Sequence, residues 1–167
     1  PNVPVVWNTH GYEKLETIQK LLPYVDIFLT DFKYFRPETA KKYSNCPDYV
    51  ENAKAALNEM VKNKPLEFDG EMLKQGVIVR HLILPLHTQE SKQVLDYLKQ
   101  NYDKQILVSV MSQFTPFGEC DRFPEINRKL TSREIKSVNN HFLELDLDGF
   151  IQNSKSADTC FIPNWNK

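Results

Sequence analysis

The sequence is poor in cysteine and glycine and contains no long hydrophobic run. Its three cysteines, Cys46, Cys120 and Cys160, are widely separated and odd in number, which argues against a disulfide framework or a Cys-x-x-Cys zinc pair. No apolar segment approaches the roughly 20 residues of a membrane helix. The first residues, "PNVPVVWNTH", lack the features of a signal peptide. These absences favour a protein of the reducing cytoplasm, with structural or incidental cysteines.

The sequence also lacks an excess of either charge. Its 167 residues include 21 Lys and Arg against 22 Asp and Glu, which gives a net charge of −1. The basic residues lie beside acidic ones along predicted helices, as on a solvated surface. We therefore expect neither nucleic acid nor a membrane as a partner. The length suits one domain over residues 1–167.

Apolar segments alternate with segments of helical periodicity. The strand-like segments lie at about 3–8, 25–32, 77–85 and 105–114, with a short last one at "GFIQN". Helices are predicted at about 12–22, from 37, at 48–63 and 89–100, and from a capping box at Thr131 and Glu134 to about 145. A hairpin or loop around Asp69-Gly70 is expected within 66–76. This alternation predicts an α/β fold with a parallel sheet or barrel.

Ionic side chains follow one of these apolar strands. In "DIFLTDFKYF", residues 26–35, Asp31 and Lys33 are two positions apart and leave the same face of a strand. They could form a structural ion pair or lie in a solvated loop. They could also line a binding site, because parallel α/β folds collect their chemistry at the carboxyl ends of strands. Lys33 would then meet a carboxylate or phosphate, and Asp31 an amine, hydroxyl or cation.

Arg80 interrupts "VIVRHLIL", which is apolar on both sides. A buried guanidinium without a partner is costly, so a carboxylate of the protein or of a ligand is expected beside it, and the ligand is the favoured alternative. Leu82 shares the face of Arg80 and supplies an apolar wall. His81 points the other way and is expected to be a core histidine.

Polar residues also end the first and fourth predicted strands. Asn8 and Thr9 precede His10-Gly11, where a plain turn is an equally open interpretation. Gln113 lies near the end of the fourth strand. We expect His87 in a loop and His141 on the surface.

Three separated segments, in order, resemble the later part of a radical S-adenosylmethionine enzyme. They are "VVWNTHGY", "VDIFLTDFKYFRPETAKKYSNCPDYVENAKAAL" and "GVIVRHLILPLHTQES". The closest group is the pyruvate formate-lyase activating enzymes and their homologues. "SVMSQFTPF" and the tail "GFIQNSKSADTCFIPNW" resemble the homologue subgroup more than the activating enzyme itself. The resemblance implies a partial (β/α) barrel, truncated at its N-terminal side, that holds a [4Fe–4S] cluster and S-adenosylmethionine at the carboxyl ends of its strands.

The resemblance also implies roles for individual residues. Asp31 and Lys33 match an Asp-x-Lys beside S-adenosylmethionine, with Lys33 near its carboxylate and Asp31 near a monovalent cation. Arg80 matches an arginine that lines the cofactor site, and Leu82 would lie beside the adenosyl group.

Two assignments depart from the family pattern. Asn8 and Thr9 match a strand-end Asp-Thr that helps to hold the cation, with Asn8 in place of the acid. Gln113 or Thr115 falls where the activating enzymes carry a histidine.

The family's C-x-x-x-C-x-x-C cluster motif is absent from the sequence. We therefore expect the cluster ligands upstream of Pro1, and this chain alone to carry no iron and to be inactive. The complete protein would generate a 5′-deoxyadenosyl radical that abstracts hydrogen from a glycine of a glycyl radical enzyme or from another substrate. A flavodoxin- or ferredoxin-type donor would supply the electron.

Two alternatives do not involve radical chemistry. One is a barrel lyase or aldolase in which Lys33 forms a Schiff base and Asp31 transfers protons. The other is a non-catalytic module that docks a partner through open strand edges and an uncovered apolar face.

Overall fold

The computed structural model describes residues 3–152. The strands are β1 (Val6–Thr9), β2 (Ile27–Asp31), β3 (Glu67–Asp69), β4 (Met72–Leu82), β5 (Leu107–Met111) and β6 (Gly149–Gln152). The helices are α1 (Leu15–Leu21), α2 (Pro37–Ser44), α3 (Tyr49–Asn63), α4 (Thr88–Asn101) and α5 (Ser132–Glu144).

Five of the strands form a parallel sheet in the order β1-β2-β4-β5-β6, and β3 pairs antiparallel with the beginning of β4. Each new parallel strand is added on the same side of the previous one. Because parallel crossovers are right-handed, this order places the connecting helices on one face of the sheet. The α/β fold is therefore confirmed, and it is consistent with a strip of a barrel. Within residues 3–152 the strands do not close, since β1 and β6 each pair with one strand.

The two faces of the sheet differ in burial. In β4, Val77, Val79 and His81 are buried, whereas Ile78, Arg80 and Leu82 on the other face are partly exposed. The buried face belongs to the core that the helices cover, with large contributions from α3 and α4. The opposite face carries the ionic residues and is open, so it is the face available to a ligand.

The predicted elements are present, with shifted ends. The helix predicted from residue 12 begins at Leu15, because Lys14 is extended and the Tyr12 hydroxyl donates to Asp48 Oδ1 at 2.7 Å. The strand predicted from 77 begins at Met72, because the predicted hairpin pairs Met72 with Asp69. The capping box at Thr131 and Glu134 is confirmed.

The proposed tail and Cys160 lie outside the described residues, as does Asn153 at the end of the last predicted strand. Among the helices of residues 3–152, none has the length and apolarity needed to cross a bilayer.

Candidate functional site

A cavity of about 300 Å³ opens at the carboxyl ends of the parallel strands. Its volume is at the lower end of the roughly 300–1,000 Å³ found for small-molecule sites. The residues that line it are His10, Asp31, Lys33, Tyr34, Arg80, Leu82, Leu84, Met111 and Phe114.

Strand register explains why side chains from distant parts of the sequence meet here. Asp31 at the end of β2 is paired with Arg80 of β4, and Leu82 of β4 is paired with Met111 of β5. Paired residues in neighbouring strands project from the same face of the sheet. The ionic pair and the apolar pair therefore lie side by side at one rim.

Arg80 is held by two protein side chains. Its Nε and Nη2 atoms lie 2.8 and 2.7 Å from Asp31 Oδ1, and Nη2 also donates to Asn8 Oδ1 at 2.8 Å. Of the two alternatives for the carboxylate beside Arg80, the structure thus shows the protein's own Asp31, and not the favoured ligand carboxylate. The guanidinium thus contacts the side chains of Asp31 and Asn8, two of the three residues that the resemblance places near a monovalent cation.

Lys33 is more loosely held than Arg80. Its Nζ lies 3.8 Å from Asp31 Oδ2, and its side chain is 36% exposed against 13% for Asp31. His10 Nδ1 approaches the same oxygen at 3.7 Å from an exposed position. Arg80 and Lys33 therefore face one carboxylate, and within residues 3–152 the Oδ2 atom of Asp31 has no partner closer than 3.7 Å. This arrangement can accept a carboxylate and an ammonium group together.

An apolar wall completes the cavity. Leu82 and Leu84 follow Arg80 at two-residue intervals, and Met111 and Phe114 extend the wall from β5. An uncharged, largely apolar group can lie against these side chains while its polar end reaches Lys33 and Asp31.

Gly11 brings the turn after β1 against the end of β2. It has a φ of +76°, and a Cβ atom there would lie 2.1 Å from the Asp31 carbonyl oxygen. Glycine is required on both counts, because other residues disfavour this φ and would clash with the backbone. The turn of His10-Gly11 is therefore confirmed, and it fixes the site's edge.

Glu13 is a further acid near the charged cluster. Burial raises the pKa of its carboxyl, the charge of Asp31 adds to that effect, and His10 and Lys33 oppose it. Within the described residues its Oε2 atom is buried and has no hydrogen-bond partner. Nothing in the sequence pattern distinguishes Glu13 from the exposed acids of the helices.

The cavity brings together four of the seven site residues expected from the sequence: Asp31, Lys33, Arg80 and Leu82. Asn8 reaches the cluster through Arg80 without lining the cavity. Thr9 is buried, and its Oγ1 accepts the Gly11 N–H at 3.4 Å. Gln113 donates to Gln152 Oε1 at 2.7 Å on β6, and Phe114 takes the place at the cavity. The binding roles of all seven residues stay predictions.

The three histidines other than His10 lie in three different environments. His81 is a core residue, as expected, and its Nδ1–H donates to the Phe32 carbonyl at 2.8 Å. Burial lowers the pKa of His81. His87 precedes α4 but is more engaged than a loop position suggests, with contacts to Tyr43 at 2.9 Å and Glu90 at 3.2 Å. His141 on α5 is partly buried and contacts Asp96 at 2.7 Å.

Residues 3–152 contain no group of three or more His, Cys, Asp or Glu side chains placed to hold a metal ion. Cys46 and Cys120 are partly exposed, free thiols. The described residues therefore do not provide the ligand set of an iron–sulfur cluster, which needs several thiolates at one point.

Comparison with known proteins finds similarity both in sequence and in fold. No protein-family profile matches the chain. It is 35% identical over 138 residues to an uncharacterised protein of Methanocaldococcus jannaschii, an alignment that covers 82% of this chain. The chain spans 37% of that relative's length.

The fold is similar to a domain of pyruvate-formate lyase-activating enzyme from Bacteroides vulgatus, with a TM-score of 0.63. The match covers 89% of this chain and 80% of the other, with 10% of residues identical. At that identity the likeness concerns the fold. The chain thus shares its architecture with a domain of an activating enzyme.

Proposed function

We propose that this chain forms the later strands of a radical S-adenosylmethionine partial barrel and that its cavity binds the cofactor's amino-acid tail. One observation carries the proposal: Arg80 and Lys33 face the single carboxylate of Asp31 beside an apolar wall. The fold similarity to an activating-enzyme domain supports the choice of family.

The cofactor fits the residues present. Its carboxylate would approach Lys33 Nζ, the more exposed of the two cations. Its ammonium would approach Asp31 Oδ2, which among the described residues has no partner closer than 3.7 Å. The adenosyl moiety would lie along Leu82 and the neighbouring apolar side chains. The described residues do not fit the cluster, so we assign no step to it here.

S-adenosylmethionine, when bound in the complete protein, would supply the radical chemistry by which hydrogen is abstracted from a substrate. The residues of this chain bind and orient. Lys33 neutralises the carboxylate, Asp31 orients the ammonium, and Arg80 fixes Asp31 through two short contacts. The apolar wall keeps water from one side of the site. None of these residues acts as a general base.

For the complete protein we propose a glycine of a glycyl radical enzyme as the hydrogen donor and a flavodoxin- or ferredoxin-type protein as the electron donor. The support is the sequence resemblance together with the activating-enzyme domain that shares the fold. Cytoplasmic location belongs to the same proposal, because the free thiols of Cys46 and Cys120 are typical of a reducing compartment.

The site disfavours the lyase alternative. A Schiff-base lysine needs a neutral amine in a desolvated pocket. The Lys33 side chain is 36% exposed and its Nζ lies 3.8 Å from the Asp31 carboxylate, so it is not in a desolvated pocket.

Titration of the isotopically labelled chain with S-adenosylmethionine, followed by NMR, tests the proposal. We expect shifts at Lys33 and Leu82, and about tenfold weaker binding in Lys33→Ala because one charge-assisted contact is lost. Lys136→Ala, on the exposed surface of α5, is the matched control and should bind normally. Equal affinity of Lys33→Ala and the control would remove Lys33 from the site. Borohydride trapping of a carbonyl compound on Lys33 would favour the lyase.

A further inference from the structure

Tyr49 is the first residue of α3. Its hydroxyl lies next to the backbone of His10, Asp31 and Lys33, three residues of the candidate site. Tyr49 is 3% exposed, and its ring is fixed by stacking on Tyr12 and by an edge contact with Tyr34. The centroid distances are 5.9 and 5.4 Å. A ring held on two sides has little freedom, so its hydroxyl occupies a defined point.

The hydroxyl joins the ends of two strands. It accepts the Lys33 backbone N–H at 3.0 Å and is 3.1 Å from the His10 carbonyl and 3.2 Å from the Asp31 carbonyl. Its one proton is shared between the two carbonyl oxygens. His10 follows β1, whereas Asp31 and Lys33 lie at and just after the end of β2.

All three residues that the hydroxyl holds through their backbone line the cavity with their side chains. The hydroxyl therefore helps to fix the backbone positions from which these three side chains project. Burial raises the pKa of Tyr49, so the group stays protonated and remains able to donate.

We infer that Tyr49 is a positioning residue for the candidate site, which sets the separation of Lys33 and Asp31 without contacting the ligand. The inference rests on the proposed function for the identity of that ligand. The contacts of the hydroxyl with the backbone are independent of it. Sequence periodicity places Tyr49 on the apolar stripe of α3, and its polar role is visible only in the structure.

Hydrogen exchange measures the contact without any ligand. In the wild-type chain the Lys33 amide should be protected, and in Tyr49→Phe it should exchange about tenfold faster because its acceptor is gone. The Ile83 amide, which donates to the Met111 carbonyl at 3.0 Å, is the internal control and should be unaffected. Tyr102→Phe is the matched variant, because it removes a buried hydroxyl whose contact is Tyr97 at 3.4 Å.

Ligand binding supplies the second measurement, made well below the unfolding temperature of each variant. Tyr49→Phe should bind S-adenosylmethionine roughly three- to tenfold more weakly than wild type and Tyr102→Phe. That loss should disappear in a Lys33→Ala background, which a purely structural effect would not produce.

The outcomes separate the two claims. Faster exchange confined to Lys33, with no binding by wild type, would support the placement by Tyr49 and reject the proposed ligand. An unprotected Lys33 amide in wild type would overturn the inference even if Tyr49→Phe does not fold. Equal exchange of the Lys33 amide in Tyr49→Phe and Tyr102→Phe would also overturn it, and so would equal affinity of the two variants if wild type binds the ligand.

Discussion

Arg80 and Asp31 are register partners in β4 and β2, and two guanidinium nitrogens lie within 2.8 Å of one carboxylate oxygen. The side chains are 22% and 13% exposed, so the pair is largely removed from water. Arg80 is thus paired with Asp31 at short distance, whereas Lys33 Nζ lies 3.8 Å from the same carboxylate. The sequence predicts both cations at the site, and we propose that Lys33 is the one that meets a ligand.

Removal of Arg80 should destabilise the fold. Arg80→Met leaves the Asp31 carboxylate and the Asn8 amide oxygen without their short contacts, so we expect a loss of about 1–3 kcal/mol in the free energy of unfolding. The free energy of unfolding of Arg80→Lys should lie between those of wild type and Arg80→Met, because lysine keeps the positive charge but lacks the planar guanidinium group.

Urea denaturation measures this effect, with Arg122→Met as the control. Arg122 pairs with Glu119 at side-chain exposures of 66% and 76%, and such surface pairs contribute little. Equal stability of Arg80→Met and wild type would show that Arg80 does not anchor Asp31.

Gly11→Ala should damage both the fold and the site. The added Cβ meets the Asp31 carbonyl oxygen at 2.1 Å, so the turn or the end of β2 must move. Gly118→Ala is the control, because Gly118 has a similar φ of +64° with nothing within 4 Å of the added Cβ.

We expect the control to lose about 1 kcal/mol of stability from strain alone, and Gly11→Ala to lose more. Gly11→Ala should also bind ligand more weakly than Gly118→Ala. Thermal unfolding and NMR titration of the two variants provide the comparison. Indistinguishable variants would contradict the close packing of the turn.

Acid should destabilise the chain through Glu90. Burial of Glu90 opposes its ionisation, but hydrogen bonds from His87, the Arg36 and Phe35 amides, and Thr39 outweigh burial and lower its pKa from 4.5 to about 2. A carboxyl whose pKa is lower in the folded state stabilises the fold above its unfolded pKa. That stabilisation is lost as the pH falls from about 4.5 through about 2.

Urea denaturation at several pH values measures this loss, which should reach about 2–3 kcal/mol. Glu90→Gln should be less stable at neutral pH and show a shallower decline below pH 5, because its amide does not titrate. Glu51→Gln changes an exposed position of α3, and its stability should depend on pH as that of wild type does. An acid-induced loss that is identical in Glu90→Gln and wild type would exclude Glu90 as its source.

Much of the fold follows from the sequence, because long apolar strands alternate with strongly periodic helices. The ends of helices and strands are harder to predict from the sequence, because contacts between residues distant in sequence determine them. The Tyr12–Asp48 hydrogen bond spans 36 residues and accompanies the delayed start of α1. The pairing of Met72 with Asp69 extends β4 in the same way.

The candidate site is partly predictable for a similar reason. Asp31, Lys33 and Arg80 adjoin or interrupt apolar strands, and strand parity predicts their common face with Leu82. Parity fails at Gln113 because β5 ends at Met111, so alternation no longer applies two residues later.

Residues that reach the site from turns and helices were missed. His10 lies in a turn, and its approach to Asp31 Oδ2 depends on the packing of Gly11. Tyr49 is 16 or more residues from each of its hydroxyl's partners, and no local pattern reveals such contacts.

We propose that the charged side chains of Asp31, Lys33 and Arg80 recognise a zwitterionic amino-acid tail. S-adenosylhomocysteine and 5′-methylthioadenosine share the adenosyl thioether and differ in that tail, so their affinities for the chain isolate its contribution. We predict at least about tenfold tighter binding of S-adenosylhomocysteine, falling to less than about threefold in Lys33→Ala. Equal affinities of the two compounds for the wild-type chain would contradict the account.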